Sequence, residues 1–142
     1  MESTLHYALM KAHTAMNRKI RSEASAIGLS AGQPKILDFL SAHDGSDQKS
    51  IASYCEIEPA TVGSILLRME NAGLIIRRHS EGNRRSLYVY LTEKGQRFAH
   101  SMGDIFLHAE KEATEKIDDK ELGQLIEMLE KIYSSLTGDI DA

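Results

Sequence analysis

Arginine is concentrated in one short part of the sequence, where its chemistry would be the binding of phosphate groups. Positions 68–97 hold seven lysine or arginine residues and three acidic ones, although the 142-residue chain has a net charge of −4. Four of these arginines flank the polar stretch 80–83: Arg77, Arg78, Arg84 and Arg85. Like charges crowded together repel one another, whereas a phosphate backbone or a narrow minor groove attracts them. The pattern therefore favours a nucleic-acid ligand.

A second group of polar residues precedes these arginines at helical spacing. Thr61, Ser64 and Arg68 lie three and four positions apart, so a helix would carry them on one face. Short hydroxyl side chains let a helix approach base edges, and an arginine can donate two hydrogen bonds to a guanine. This face suits a major groove, but an ordinary solvated helix face has the same pattern, and the segment alone leaves both open.

Other kinds of chemistry are poorly supported. No nucleophile elbow, phosphate-binding glycine loop or HExxH pattern occurs, so we expect neither an enzyme nor a cofactor. His6 and His13, like His100 and His108, lie roughly 10–12 Å apart on a helix, which is too far for either pair to share one metal ion unaided. We therefore expect no metal site. The lone cysteine, Cys55, occupies an apolar position and is expected to be a buried structural thiol.

The elements that must position these groups are mostly helices. Apolar spacing predicts four of them before residue 73. Their approximate ranges are 4–27, 31–43, 48–54 and 59–72. Ser30 is the predicted N-cap of the second helix, and Pro59 favours the start of the fourth. Residues 44–47 are predicted to form a turn.

The hydrophobic period changes after Gly73. Residues 74–76 and 87–91 are rich in β-branched or aromatic side chains and flank turn-forming residues, which predicts a β-hairpin. Thr92 is predicted to cap a fifth helix, and Asp118 or Asp119 to begin a sixth. The sixth helix is expected to bury its apolar positions, which are Leu122, Leu125, Ile126, Leu129, Ile132 and Leu136.

The third and fourth predicted helices have the pattern of a helix-turn-helix. Ile51, Cys55, Val62 and Ile65, with Ile57 between the helices, can pack where the two helices cross, and position 52 is a small alanine. A basic hairpin directly after such a pair is the winged-helix arrangement. We therefore expect a mainly α fold with a small β-hairpin wing, in which N- and C-terminal helices flank the winged helix-turn-helix.

Four stretches of this sequence resemble the MarR family of bacterial transcriptional regulators, in the same order and spacing. They are GLSAGQ (residues 28–33), GLI (73–75), NRR (83–85) and LTEKG (91–95). The resemblance covers essentially the whole chain. One position departs from the family, which usually has Asp where this chain has Asn83, and an asparagine there offers no ion pair.

The resemblance implies a single domain over residues 1–142 that forms a homodimer. The winged helix-turn-helix would span about 30–92, and dimerisation helices about 3–27 and 93–138. Two copies would read a pseudo-palindrome in double-stranded DNA, most simply as a repressor that a ligand releases. The residues expected at DNA are Thr61, Ser64, Arg68, Arg77, Arg78, Asn83, Arg84 and Arg85. Lys11, His13 and Asn17 are candidates for contacts with a small aromatic or anionic effector.

Charge and composition leave open a protein-binding function and exclude an integral membrane protein. The isoelectric point of about 5.9 is acidic, which favours a winged helix that binds proteins and never touches DNA. The wing arginines argue against that reading. Apolar runs are far shorter than the roughly 20 residues of a membrane-spanning helix, and no secretory signal is visible. We expect a cytoplasmic protein with no membrane partner.

Overall fold

A computed structural model describes residues 3–138 of the chain, with the backbone alone at positions 83 and 84. The described part contains six helices and three strands. The helices are α1 (Leu5–Ala26), α2 (Gln33–Ala42), α3 (Gln48–Cys55), α4 (Pro59–Asn71), α5 (Glu93–Ala113) and α6 (Asp119–Thr137). The strands are β1 (Ser46–Asp47), β2 (Ile75–Ser80) and β3 (Asn83–Leu91). This architecture confirms the mainly helical winged helix-turn-helix.

The chain divides into two compact units between Leu107 and His108, inside α5. The first unit contains α1, the helix-turn-helix, the sheet and most of α5. The second contains the end of α5 and α6.

The three strands form an antiparallel sheet in the order β1-β3-β2. The prediction of a simple turn at residues 44–47 was wrong in its second half, because Ser46 pairs with Val89 and Asp47 with Tyr88. The hairpin strands are also longer than predicted and include the arginines. Their outer residues carry exposed polar side chains, so they give no apolar signal in the sequence, although the backbone pairing continues.

The core of the first unit is formed by α2, the helix-turn-helix and the sheet, with further side chains from α1 and α5. Ile51 and Val62 are fully buried, as are Leu66 and Met69 on α4. Ile65 and Ala52 are nearly so, and Ile57 is partly buried. The predicted packing between α3 and α4 is therefore confirmed. Cys55 is buried among these residues, as expected.

The start of α2 differs from the prediction. Ser30 is not the N-cap; Gly32 occupies that position with a φ of 85°, in the left-handed region. The hydrogen bond runs the other way, because the backbone N–H of Ser30 donates to Oε1 of Gln33 at 3.0 Å. A buried glutamine at the first helical position thus supplies the acceptor that the serine was expected to supply.

The start of α6 was predicted correctly, but the burial of its apolar side chains was not. Asp118 and Glu121 form a reciprocal capping box. Leu122 and Ile132 are half-buried, whereas Leu125, Ile126, Leu129 and Leu136 are exposed. A helical stripe is buried only where another element covers it, and periodicity does not identify that element.

Across residues 3–138, no helix has an apolar stretch of the length that crossing a bilayer requires.

Candidate nucleic-acid interface

Helix α4 presents the predicted polar face to solvent. Pro59 is its first residue, where the missing backbone N–H costs nothing, and Glu58 is the N-cap. Thr61, Ser64 and Arg68 are all exposed, whereas the opposite face is the buried one described above. The helix-turn-helix core therefore fixes the direction in which these three side chains point.

The junction with α5 fixes the other end of α4. Oγ of Thr92 donates to the carbonyl of Gly73 at 2.6 Å and accepts from the N–H of Gly95 at 2.9 Å. Nζ of Lys94 donates to the carbonyl of Ala72 at 2.8 Å, so a cation caps the carboxyl end of the α4 dipole. Thr92 is the cap that the sequence predicts. The contact of Lys94 leaves no local signal, because the helix that Lys94 caps lies more than twenty positions earlier.

The wing arginines do not share one environment. Arg78 is exposed, with its guanidinium carbon 4.2 Å from the centre of the Tyr90 ring, so an aromatic face holds the cation in place. Arg85 is exposed on β3. The side chains of Asn83 and Arg84 lie outside what the structure describes.

Arg77 is engaged inside the protein. Its Nε and Nη2 donate to the two carboxylate oxygens of Glu70 at 3.4 and 3.2 Å, and its Nη1 donates to Oε1 of Gln48 at 3.2 Å. These hydrogen bonds lower the pKa of the Glu70 carboxyl below its ordinary value. The sequence predicts Arg77 at DNA and indicates neither of these partners.

A cavity of about 1180 Å³ lies between α1 and the helix-turn-helix, within the first unit. Two of the three predicted effector residues, His13 and Asn17, line it. The third, Lys11, is not among the lining residues, and its Nζ lies 5.3 Å from the centre of the Tyr7 ring.

The cavity is cationic and partly apolar. None of the described residues that line it is acidic, whereas four are basic: Arg18, Arg21, Lys35 and Arg68. Met16, Ile20, Ile57 and Phe106 give it apolar walls. Helical spacing could have identified the two arginines of α1, because Arg21 lies four positions after Asn17 and three after Arg18. Lys35 and Arg68 come from other helices, and only the tertiary structure brings them here.

The thiol of Cys55 is buried. Burial raises the pKa of its thiol, which disfavours the nucleophilic thiolate. Within residues 3–138, no three His, Cys, Asp or Glu side chains come together as a metal site.

Comparison with known proteins shows which family this chain is similar to. Residues 29–87 match the model of the MarR family. The homoprotocatechuate degradative operon repressor of Escherichia coli is 27% identical over 135 residues, which cover 94% of this chain and 90% of that protein.

Two similar solved structures contain DNA. The S. aureus MepR–DNA complex is 25% identical with a TM-score of 0.87, over 96% of this chain and all of that one. The transcriptional repressor CouR, bound to a 23-mer duplex, is 27% identical with a TM-score of 0.82, over 92% of each chain. Residues 29–87 therefore match the MarR family, and the fold of the chain is similar to that of these two regulators.

Proposed function

We propose that this chain is a sequence-specific DNA-binding transcriptional regulator, acting as a repressor that a small ligand releases. One observation carries the proposal: the exposed polar face of α4 lies next in the chain to an exposed cationic hairpin, and the α5 junction fixes the end of α4 between them. The DNA complexes of the two relatives described above support the same use of the fold.

We assign the two parts of this surface different tasks. Thr61, Ser64 and Arg68 enter the major groove, where Arg68 can read a guanine edge. The wing residues Arg78, Asn83, Arg84 and Arg85 contact the adjacent minor groove or its phosphates. Chromosomal DNA as the ligand would place this protein in the cytoplasm, and no catalytic step is assigned to it.

We propose a homodimer as the binding species. Apolar side chains stay exposed on α1 (Leu5, Leu9, Met10) and on α6 (Leu125, Leu129), and a second copy can bury both sets. A twofold dimer would then read half-sites about 10 bp apart, centre to centre.

The cationic cavity is our candidate effector site, for a ligand with an anionic group and an apolar body. Thr61 and Arg68 belong both to its lining and to the exposed face of α4. A ligand that holds Arg68 in the cavity withholds it from DNA. Such a ligand must bind the DNA-free state more tightly, and DNA must weaken ligand binding by the same factor.

Selection of random duplexes by the purified protein, followed by sequencing at two salt concentrations, tests this proposal. We expect enrichment of a pseudo-palindrome, with recovery that falls as salt rises. If no sequence is enriched and salt has no effect, the alternative applies, in which the winged helix binds another protein and does not bind DNA.

A further inference from the structure

Arg77 makes contacts unlike those of its neighbour Arg78. Three of its nitrogens donate hydrogen bonds to other side chains of the protein, two to Glu70 and one to Gln48. The side chain of Arg77 is 17% exposed, whereas neighbouring Arg78 belongs to the exposed residues.

The alternation of β2 explains this difference. Successive side chains of a strand point to opposite faces, so Arg77 shares its face with Ile75, which is buried. Ile76 and Arg78 share the other face, and both are exposed. The strand therefore points the guanidinium of Arg77 towards the helix-turn-helix.

The three partners belong to three different elements. Gln48 is the first residue of α3, Glu70 lies in the last turn of α4, and Arg77 lies in β2. A guanidinium has five N–H donors in a fixed planar fork, so it holds two acceptors at a defined angle to each other. We call this group the Gln48–Glu70–Arg77 clamp.

We infer that Arg77 is a positioning residue, and that the clamp sets the angle of the wing relative to α4. The inference rests on the proposed DNA binding, because a fixed angle matters where α4 and the wing must meet two grooves of one duplex together. If α4 and the wing are held in place before binding, less conformational entropy is lost when the protein binds DNA.

Removing the negative charge of Glu70 should change DNA affinity in opposite directions, depending on whether the clamp or electrostatics alone determines the effect. Glu70→Gln removes a negative charge close to the DNA-facing surface, so electrostatics alone would strengthen DNA binding. Loss of the clamp would weaken it, because one strong acceptor of Arg77 is gone. Glu81→Gln is the matched control, since it removes the same charge from the exposed wing turn and touches no part of the clamp.

The experiment measures affinity for the selected duplex as a function of salt for the wild type, Glu70→Gln, Glu81→Gln and Arg77→Lys. We expect Glu70→Gln and Arg77→Lys to lose affinity by up to about tenfold, within the range of coupled charge pairs. We expect their salt slopes to match that of the wild type, and Glu81→Gln to bind at least as tightly as the wild type. Lysine keeps the charge of Arg77 but cannot hold two acceptors.

Hydrogen exchange of the wing amides in the DNA-free proteins separates this inference from the proposed function. Faster exchange in β2 and β3 of Glu70→Gln, but not of Glu81→Gln, supports the clamp even if the wild type fails to bind DNA. Unchanged exchange, or Glu70→Gln binding as tightly as Glu81→Gln, overturns it.

Discussion

Two adjacent arginines of β2 show how the backbone assigns chemistry to a residue. Arg77 and Arg78 are the same residue type in the same basic segment, yet one lies against Glu70 and the other over the ring of Tyr90. Of the two, Arg78 is the exposed arginine, and the Tyr90 ring holds its guanidinium in place. The charge of the segment therefore indicates a nucleic-acid ligand. The alternation of side chains along the strand indicates which arginine is exposed to that ligand.

We expect Arg68 to contact a base and Arg78 to contact phosphate groups, so their substitution should have different effects on DNA binding. We expect Arg68→Ala to weaken binding to the selected duplex by about 1–3 kcal/mol and to relax the preference at one base position. Arg78→Ala should weaken binding to all duplexes and reduce the salt slope by about one. Repeating the duplex selection with each variant measures both effects. Unchanged preference and unchanged slope in both variants would contradict the assigned contacts.

The ion pair of Glu70 should make part of the folding stability depend on pH. The pKa of this carboxyl in the folded state lies below its ordinary value of 4.5 because Arg77 donates hydrogen bonds to it. Its stabilising contribution is therefore complete above pH 4.5 and is lost as the pH falls through the folded-state pKa.

Denaturant unfolding of the wild type and Glu70→Gln between about pH 6 and pH 3 checks this dependence. The difference between their free energies of unfolding should shrink towards the acidic end. A difference that stays constant over the range would show that the Glu70 carboxyl is not held by Arg77.

At the scale of elements, the LTEKG stretch (residues 91–95) explains how α4 and α5 are joined. The N–H of Thr92 donates to the carbonyl of Leu74 at 3.0 Å, which adds to the contacts of Thr92 and Lys94 with the end of α4. A Cβ at Gly95 would overlap the carbonyl oxygen of Leu74, so only glycine allows this approach.

We expect Gly95→Ala to lower the free energy of unfolding by about 2 kcal/mol, because the backbone of Leu74 must shift. Gly103→Ala in the same helix is the control, since a Cβ there meets nothing within 4 Å. It should raise the stability by about 0.5–1 kcal/mol through better helix propensity. Denaturant titration measures both, and equal effects of the two variants would refute the close approach.

Much of the element order follows from local signals, and the exceptions have physical causes. The start of α4 at Pro59, the cap at Asp118 and the packing of Ile51 against α4 depend on residues close in sequence. The strand at Ser46 depends on a partner more than forty positions away. Likewise Lys35 reaches the cavity and Lys94 the end of α4 only through tertiary structure.

At the scale of the molecule, charge is segregated along the chain. From residue 110 to the end, the sequence has ten acidic residues and four lysines, whereas the segment 68–97 is basic. The basic segment can attract a polyanion locally, although the net charge of the chain is −4. Net charge alone is therefore a poor guide to the ligand of this protein.

The most direct test of DNA-binding regulation compares affinity for the selected duplex with affinity for a scrambled duplex of equal length across a salt series. We predict two chains per selected duplex, a steep loss of affinity with salt, and a preference of at least about 10³ over the scrambled duplex. Equal affinity for both duplexes, or binding that salt does not change, would contradict the account.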